Sequence, residues 1–483
     1  MNMNRDITAI KILGLSALII QCKSGVNTPS DNSGERPNII LCMADDQGWG
    51  DMGYNGHPII RTPNFDRMAE AGLRFDRFYA AAPVSSPTRG SVLTGRHPNR
   101  FGCFSWGHTL RPQEITVAEA LKTAGYTTGH FGKWHLGPVR NGSPVNPGNS
   151  GFDEWLSAPN FFDNDPVLSR EGTAVRKYGE SSIVTVDAAI EFINKHSKDK
   201  QPFFAVVWFG SPHNPYTAAE EDLEHYPDQD EKLQHYYGEI TGMDRAVGKL
   251  REELKTLKID QNTILWFCSD NGGLAGFSAT GGRGAKSQIY EGGIRVPAIL
   301  EWPARLPEHR VTDYPSNTSD IYPTLLEIAG VVIKDQPPLD GISLVPVIEN
   351  SASERSEPMG FWQYPIRGQV VPSAKLMEDL LKEQESNESE VDTLLLASHA
   401  GNITDIYRED LFPGHSAWLD WPYKLHRIDS ATIFRYELYN LEEDPEERND
   451  LSGNDPDKVS SMKCQIDIWL KSVVSSLNGK DYK

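Results

Sequence analysis

The sequence predicts an α/β fold in which a large mixed, mostly parallel sheet is sandwiched between helices. Three observations carry this reading. Short continuous apolar runs recur at residues 38–43, 203–209 and 263–268, as in strands buried on both faces. Stretches with helical spacing lie between such runs, the longest at 237–257. Compact polar clusters follow the runs directly, where open α/β sheets gather their ligands.

The run at 38–43 is the first strand. After a loop, Thr62-Pro63-Asn64 opens a helix with Phe65, Met68 and Ala69 on one face, closed near Gly72. Residues 74–79 read as a strand, 117–121 begin a helix, and 126–131 form a further strand. The runs at 203–209 and 263–268 then flank the long helical stretch. Alternation of this kind builds a parallel sheet.

A chain of 483 residues exceeds what one core usually fills, so one large domain and a smaller one are expected. With 38% hydrophobic and 24% charged residues, the composition is that of a globular protein, neither disordered nor membrane-embedded. A formal charge of -20 argues against a nucleic-acid partner, which demands a cationic footprint. Cys42, Cys103, Cys268 and Cys464 are widely spaced and form no Cys-x-x-Cys pair, so neither a disulfide framework nor a zinc site is indicated.

The N-terminus has the form of an export signal. Arg5 and Lys11 precede the apolar run at 12–20, which is too short to span a bilayer. Cys22 resembles the lipid acceptor of a bacterial lipoprotein signal, although Gln21 departs from the small residue usual before that cysteine. Residues 1–22 are therefore read as a signal peptide, with or without lipidation, and 23–36 as a flexible tether. The expected location is periplasmic, or membrane-anchored through a lipidated Cys22, in a Gram-negative bacterium.

Four clusters sit at strand ends: Asp45-Asp46, Lys133-Trp134-His135, Ser211-Pro212-His213 and Asp270-Asn271. Neighbouring carboxylates with a third Asp and an Asn amide suit a hard cation such as calcium or magnesium. Each cluster alone is more often a turn or cap; their shared position gives them weight. Between them lies 83–96, with Ser85-Ser86-Pro87-Thr88-Arg89 followed by Leu93-Thr94-Gly95-Arg96. A Ser-Pro turn opening a short helix accounts for the prolines but not for the arginine spacing.

This segment resembles the signature of the formylglycine-dependent sulfatases, members of the alkaline-phosphatase-like superfamily, in its serine-type bacterial form. Aligned on Pro87 and Arg89, the residue to be oxidised is Ser85 rather than Ser86. The resemblance implies further site residues: Asp45, Asp46, Asp270 and Asn271 as calcium ligands together with the matured Ser85, and Arg89, Lys133, His135, His213 and Lys286 as catalytic groups. Lys286 lies five residues before Glu291 in a Tyr-Glu-Gly-Gly-Ile-Arg-Val-Pro stretch, and 437–445 resembles a motif of the family's small C-terminal domain. The implied division is a catalytic domain at 37–350 and, at 351–483, an α+β subdomain with an antiparallel sheet.

The implied activity is sulfate-ester hydrolysis on sulfated polysaccharide or glycosaminoglycan fragments. The implied cofactors are one calcium ion and formylglycine (3-oxoalanine), the latter made by a serine-type maturase. Two other readings stay open on the residues: a phosphonate monoester or phosphodiester hydrolase of the same superfamily, and a non-catalytic glycan-binding protein if Ser85 keeps its hydroxyl. For the pocket rim the sequence offers Arg100, Trp106 and His108, the stretch 160–165, and His415, Trp418 and Trp421. The Glu-rich stretch 376–392 reads as an amphipathic or solvated insertion without a catalytic role.

Overall fold

In the computed structural model, residues 36–199, 201–386 and 393–482 are described. The readings for 1–22 and 23–36 lie outside them, apart from Arg36. An eleven-stranded sheet forms the main layer. Its strands are β1 (Asn38–Ala44), β2 (Leu73–Tyr79), β3 (Thr127–Lys133), β4 (Glu154–Ala158), β5 (Val167–Arg170), β6 (Thr173–Arg176), β7 (Phe203–Trp208), β8 (Thr263–Ser269), β9 (Arg295–Glu301), β10 (Arg310–Thr312) and β11 (Ser316–Asn317). The spatial order is β10-β2-β9-β8-β1-β7-β3-β4-β5-β6, with β11 also paired to β2. The centre, β8-β1-β7-β3-β4, is parallel. Strand β9 runs antiparallel between β8 and β2, which makes the sheet mixed.

Helices cover both faces: α1 (Pro63–Ala71), α2 (Ser85–Thr94), α3 (Val117–Lys122), α4 (Ser181–His196), the short α5 (Glu220–Leu223), α6 (Glu231–Thr256), the short α7 (Glu291–Ile294), α8 (Ile321–Ala329) and the short α9 (Val345–Ile348). The continuous apolar strands require two cores, because successive side chains point to opposite faces. Ile39, Leu41 and Met43 of β1 enter one core with α3 and α8; Ile40, Cys42 and Ala44 enter the other with α1, α4 and α6. Pro63 at the first turn of α1 and a complete capping box at Thr116 and Glu119 of α3 fix helix starts that the sequence signals.

A second, antiparallel sheet joins β12 (Met359–Gln363), β13 (Gly414–Asp420), β14 (Tyr423–Asp429) and β15 (Phe434–Asn440) in that order. The last two helices are α10 (Ser373–Ser386) and α11 (Pro456–Leu477). Trp362, Trp418 and Leu425 pack against Ile466, Trp469 and Leu470 of α11 on one face of this sheet. Phe361, Ala417 and Leu419 meet Tyr79, Ile289 and Ile294 on the other. Helix α10 follows β12 in the chain yet buries Met377 and Leu380 in the main core. Among the described residues no helix is long and apolar enough to cross a membrane.

Candidate active site

Parallel pairing sets the site. The β1–β8 register ends at Ala44 opposite Ser269, so Asp45 and Asp270 leave the sheet side by side. The backbone N–H of Asp270 donates to Ala44 O at 3.1 Å, and that of Asp46 to Asp270 Oδ1 at 3.1 Å. Asp46 holds φ at 69°, a left-handed turn that swings its carboxylate back over the strand ends. Asp45, Asp46, Asp270 and Asn271 are all buried.

Ser85 is the first residue of α2, a helix buried along its whole length. Its Oγ donates to Asp45 Oδ1 at 3.1 Å and receives Lys133 Nζ at 3.4 Å. The Lys133 ammonium also donates to Asp45 Oδ2 at 2.6 Å. Arg89, one turn along α2, donates twice to Asp270 Oδ2, at 3.1 and 2.7 Å, and to the Lys133 carbonyl at 3.4 Å. Trp208 lies beneath its guanidinium, 5.1 Å from the ring centre. Lys286 Nζ reaches Asp46 Oδ2 at 2.5 Å and His213 Nε2 at 3.4 Å. The loop that carries it is tied to the serine turn, since Ser287 N donates to Pro83 O at 2.9 Å.

Two histidines complete the cluster. His213 places Nδ1 2.6 Å from the Asn214 carbonyl, which makes Nδ1 the proton-bearing nitrogen and turns Nε2 toward Asp46 and Lys286. Phe161 stacks on its ring at 4.1 Å. His135, at φ 55°, is buried, and neither of its ring nitrogens has a partner. Burial, reinforced by Lys133 and Arg89, holds its imidazole well below the usual histidine range and so favours the neutral ring.

Charges in the cluster are paired. Burial pushes the Asp45 carboxyl up, but Lys133, His213 and Arg89 outweigh it and hold the group below the ordinary range. Burial works the same way on Asp46, where Lys286 wins. Burial would lower Lys286, yet Asp46 and Asp45 raise it. The donor set of three carboxylates and one amide is all oxygen, which fits a hard divalent cation. Asp45, Asp46 and His213 bring ligand atoms within 4.8 Å of one another. The ten residues singled out from the sequence thus converge on one largely buried site.

The rim candidates do not behave alike. Arg100 is buried, with Nε and Nη2 on Asp340 at 2.6 and 2.8 Å and further bonds to Ser472 and Ser476 of α11. It joins the C-terminal helix to the body and is not among the residues lining the cavity beside His135. Trp418 is in the core beneath α11, and His415 bonds His426 at 2.9 Å. Trp421 stacks with Arg77 at 3.8 Å. Of the stretch 160–165, Phe161 does reach the site, through His213. The described part of the stretch read as an amphipathic or solvated insertion lies in α10, whose Leu376, Met377 and Leu380 wall a cavity beside His135. Its apolar spacing was readable, whereas its place next to the site, more than 200 positions from His135 in sequence, left no local signal.

A mixed sheet with a buried carboxylate, serine, lysine and histidine cluster beyond its strand ends defines an alkaline-phosphatase-like enzyme. The chain belongs to the sulfatase family, a family of sulfuric ester hydrolases, whose model matches residues 37–331. It is 35% identical over 353 residues to N-acetylgalactosamine-6-sulfatase of Canis lupus familiaris, covering 65% of this chain and 66% of that protein. It is 31% identical over 380 residues to the ulvan-active sulfatase of Formosa agariphila, covering 73% of this chain and 74% of that protein. The solved structure of Ps i-CgsB in complex with k-i-k-neocarrahexaose superposes with a TM-score of 0.76 at 25% identity, over 91% of this chain and 93% of that one.

Proposed function

We propose that this chain hydrolyses sulfate esters of carbohydrates, with Ser85 matured to formylglycine and a calcium ion held by Asp45, Asp46, Asp270 and Asn271. The observation that carries the reading is the setting of Ser85: its Oγ lies between Asp45 and Lys133 at 3.1 and 3.4 Å, at the start of a buried helix. The relatives named for sulfated N-acetylgalactosamine and ulvan support a sulfated-sugar substrate. The export signal, periplasmic or lipid-anchored location, the maturase and the division at 350/351 belong to the same proposal.

Formylglycine, as its hydrate, would supply two hydroxyls on one carbon, one to attack sulfur and one whose deprotonation frees sulfate. Calcium would neutralise the Asp45–Asp46 side of the site and release both lysines for an anionic ester. The chain's own groups do the rest. Lys133 and Lys286 bind sulfate oxygens from two sides. Arg89, fixed by Asp270, holds the first turn of α2 against the β1 and β8 ends. His135 offers a ring nitrogen to a proton of the nucleophile. His213, with Nδ1–H held by Asn214, can protonate the departing alcohol from Nε2 only as the imidazolium, its second proton coming by way of the neighbouring Lys286 ammonium.

The test is mass spectrometry of the Ser85 peptide from material co-expressed with a serine-type maturase, paired with sulfate-release assays. Conversion removes about 2 Da. A peptide that keeps serine, with no ester turned over, sinks the reading. Faster turnover of the matching aryl phosphate would move the chain to a phosphoester hydrolase.

A further inference from the structure

Beside His135 lies a cavity of about 280 Å3, bounded by the turn at 137–140, residues 107–109 and α10. That volume sits at the low end for a ligand pocket and holds one ring rather than an extended chain. It abuts the nucleophile turn, because the N–H of Gly107, one of its lining residues, donates to Ser86 Oγ at 2.8 Å. Its wall is apolar: Val139, Val371, Leu376, Met377, Leu380 and Leu395.

The polar groups on it are few. His135 faces it with both ring nitrogens unpartnered. Arg140 supplies the guanidinium on the wall, and that charge is already spent. Its Nη1 and Nη2 donate to the two carboxylate oxygens of Glu383 at 2.6 and 3.0 Å. Thr109, Gln369 and His399 complete the set. Helix α10 is held over the cavity by that pair and by Gln384, which exchanges hydrogen bonds of 2.6 and 3.2 Å with the backbone of Ala174.

We infer that this cavity is the subsite for the alcohol half of the ester. It takes one neutral sugar ring bearing a methyl group, as in a deoxyhexose or an N-acetylhexosamine, in preference to a uronate or a multiply sulfated ring. The inference rests on the sulfatase reading. A methyl group gains by leaving water for the aliphatic wall. A carboxylate placed there would lose its hydration and meet a guanidinium already neutralised by Glu383.

The experiment uses the full matured enzyme and four esters: 4-nitrophenyl sulfate, a sulfated 6-deoxyhexose, N-acetylgalactosamine 6-sulfate and a sulfated glucuronate. Either methyl-bearing sugar should exceed the glucuronate in kcat/KM by about tenfold or more, and the two arms show which methyl source is used. Leu380→Asn should shrink that preference. Glu383→Gln, at a carboxylate 33% exposed, frees Arg140 and should shift turnover toward the glucuronate; thermal melts verify that both variants fold. No sulfate from any ester overturns the sulfatase reading itself. Turnover of the aryl ester without a methyl preference, or a preference that both variants leave untouched, overturns the subsite alone.

Discussion

Glu447 accepts a hydrogen bond from the backbone N–H of Glu291 at 2.7 Å, and both carboxylates close on the buried ammonium of Lys424, at 3.0 and 2.9 Å. This knot ties the C-terminal sheet to the segment that carries Lys286. Arg283 extends it by donating to Tyr439 Oη at 2.9 Å and to the Glu447 carbonyl at 3.2 Å. Tyr290 adds a bond to Glu437 at 2.9 Å. The second sheet therefore holds an active-site loop in place.

Lys424→Met leaves Glu291 and Glu447 buried without their cation. Breaking such a pair costs about 3–5 kcal/mol, so the variant should melt well below the wild type. Adding Glu447→Gln should recover part of the loss, because one stranded charge is removed. A single variant that melts like the wild type would refute the knot's importance.

Ser85 and Ser86 are separable by substitution. Ser85→Ala should abolish sulfate release and leave no oxidised peptide. Ser86 Oγ accepts from Gly107 N at 2.8 Å, whereas it is Ser85 Oγ that donates to Asp45. Ser86→Ala should keep the mass change at Ser85 and cost about 1–3 kcal/mol of stability through the unpaired N–H. Loss of the mass change in Ser86→Ala with retention in Ser85→Ala would reverse the register.

Arg89→Lys should be far from conservative. The guanidinium spends two donors on Asp270 and a third on the Lys133 carbonyl, a fork an ammonium cannot reproduce. Loss of about 100-fold in kcat is expected, the scale reached when a supporting residue lets the reacting groups slip by about 1 Å. Turnover within a few-fold of wild type would show that Arg89 serves packing only.

Acid stability should depend on Asp340. Burial raises its carboxyl, but Arg100 and His97 outweigh burial and hold it well below the usual carboxylate range. Its oxygens also accept from His97 N at 2.6 Å and Trp469 Nε1 at 2.9 Å. Because the folded value is depressed, the stabilisation is full above the unfolded pKa of about 3.9 and is lost as pH falls toward the folded value. Asp340→Asn should be less stable than wild type near neutrality, with the gap closing below about pH 4. Melting curves across that range decide it; a gap that widens in acid would contradict the sign.

Much of the fold was legible because strand burial on both faces leaves an unbroken apolar run. The first strand was read at 38–43 and ends one residue later, at Ala44. The long helix was read at 237–257 but begins at Glu231, since its first turn is polar and capped by Asp230 rather than anchored by apolar residues. The antiparallel insertion of β9 was not legible, because strand direction depends on crossovers and leaves no local mark. Asp45, Asp46, Lys133, His135, His213, Asp270 and Asn271 were readable as strand-end clusters, and Ser85, Arg89 and Lys286 only through the family resemblance, whereas Arg100 reads as a rim residue and is not one. Its partner Asp340 lies 240 positions away, and a lone arginine in sequence looks solvated. Trp418 was ambiguous for a similar reason, since an aromatic serves core and sugar platform alike.

The burial of α2 has a consequence for the order of events in the cell. Ser85 is 2% exposed and the helix it opens is enclosed from end to end. On the proposed reading, an oxidising enzyme cannot reach that hydroxyl once the chain has closed around it. If Ser85 is matured as proposed, the oxidation would have to reach it while the segment is still extended. A copy that folded before oxidation would then keep its serine, and the share of oxidised chains would reflect how fast the segment closes relative to its modification.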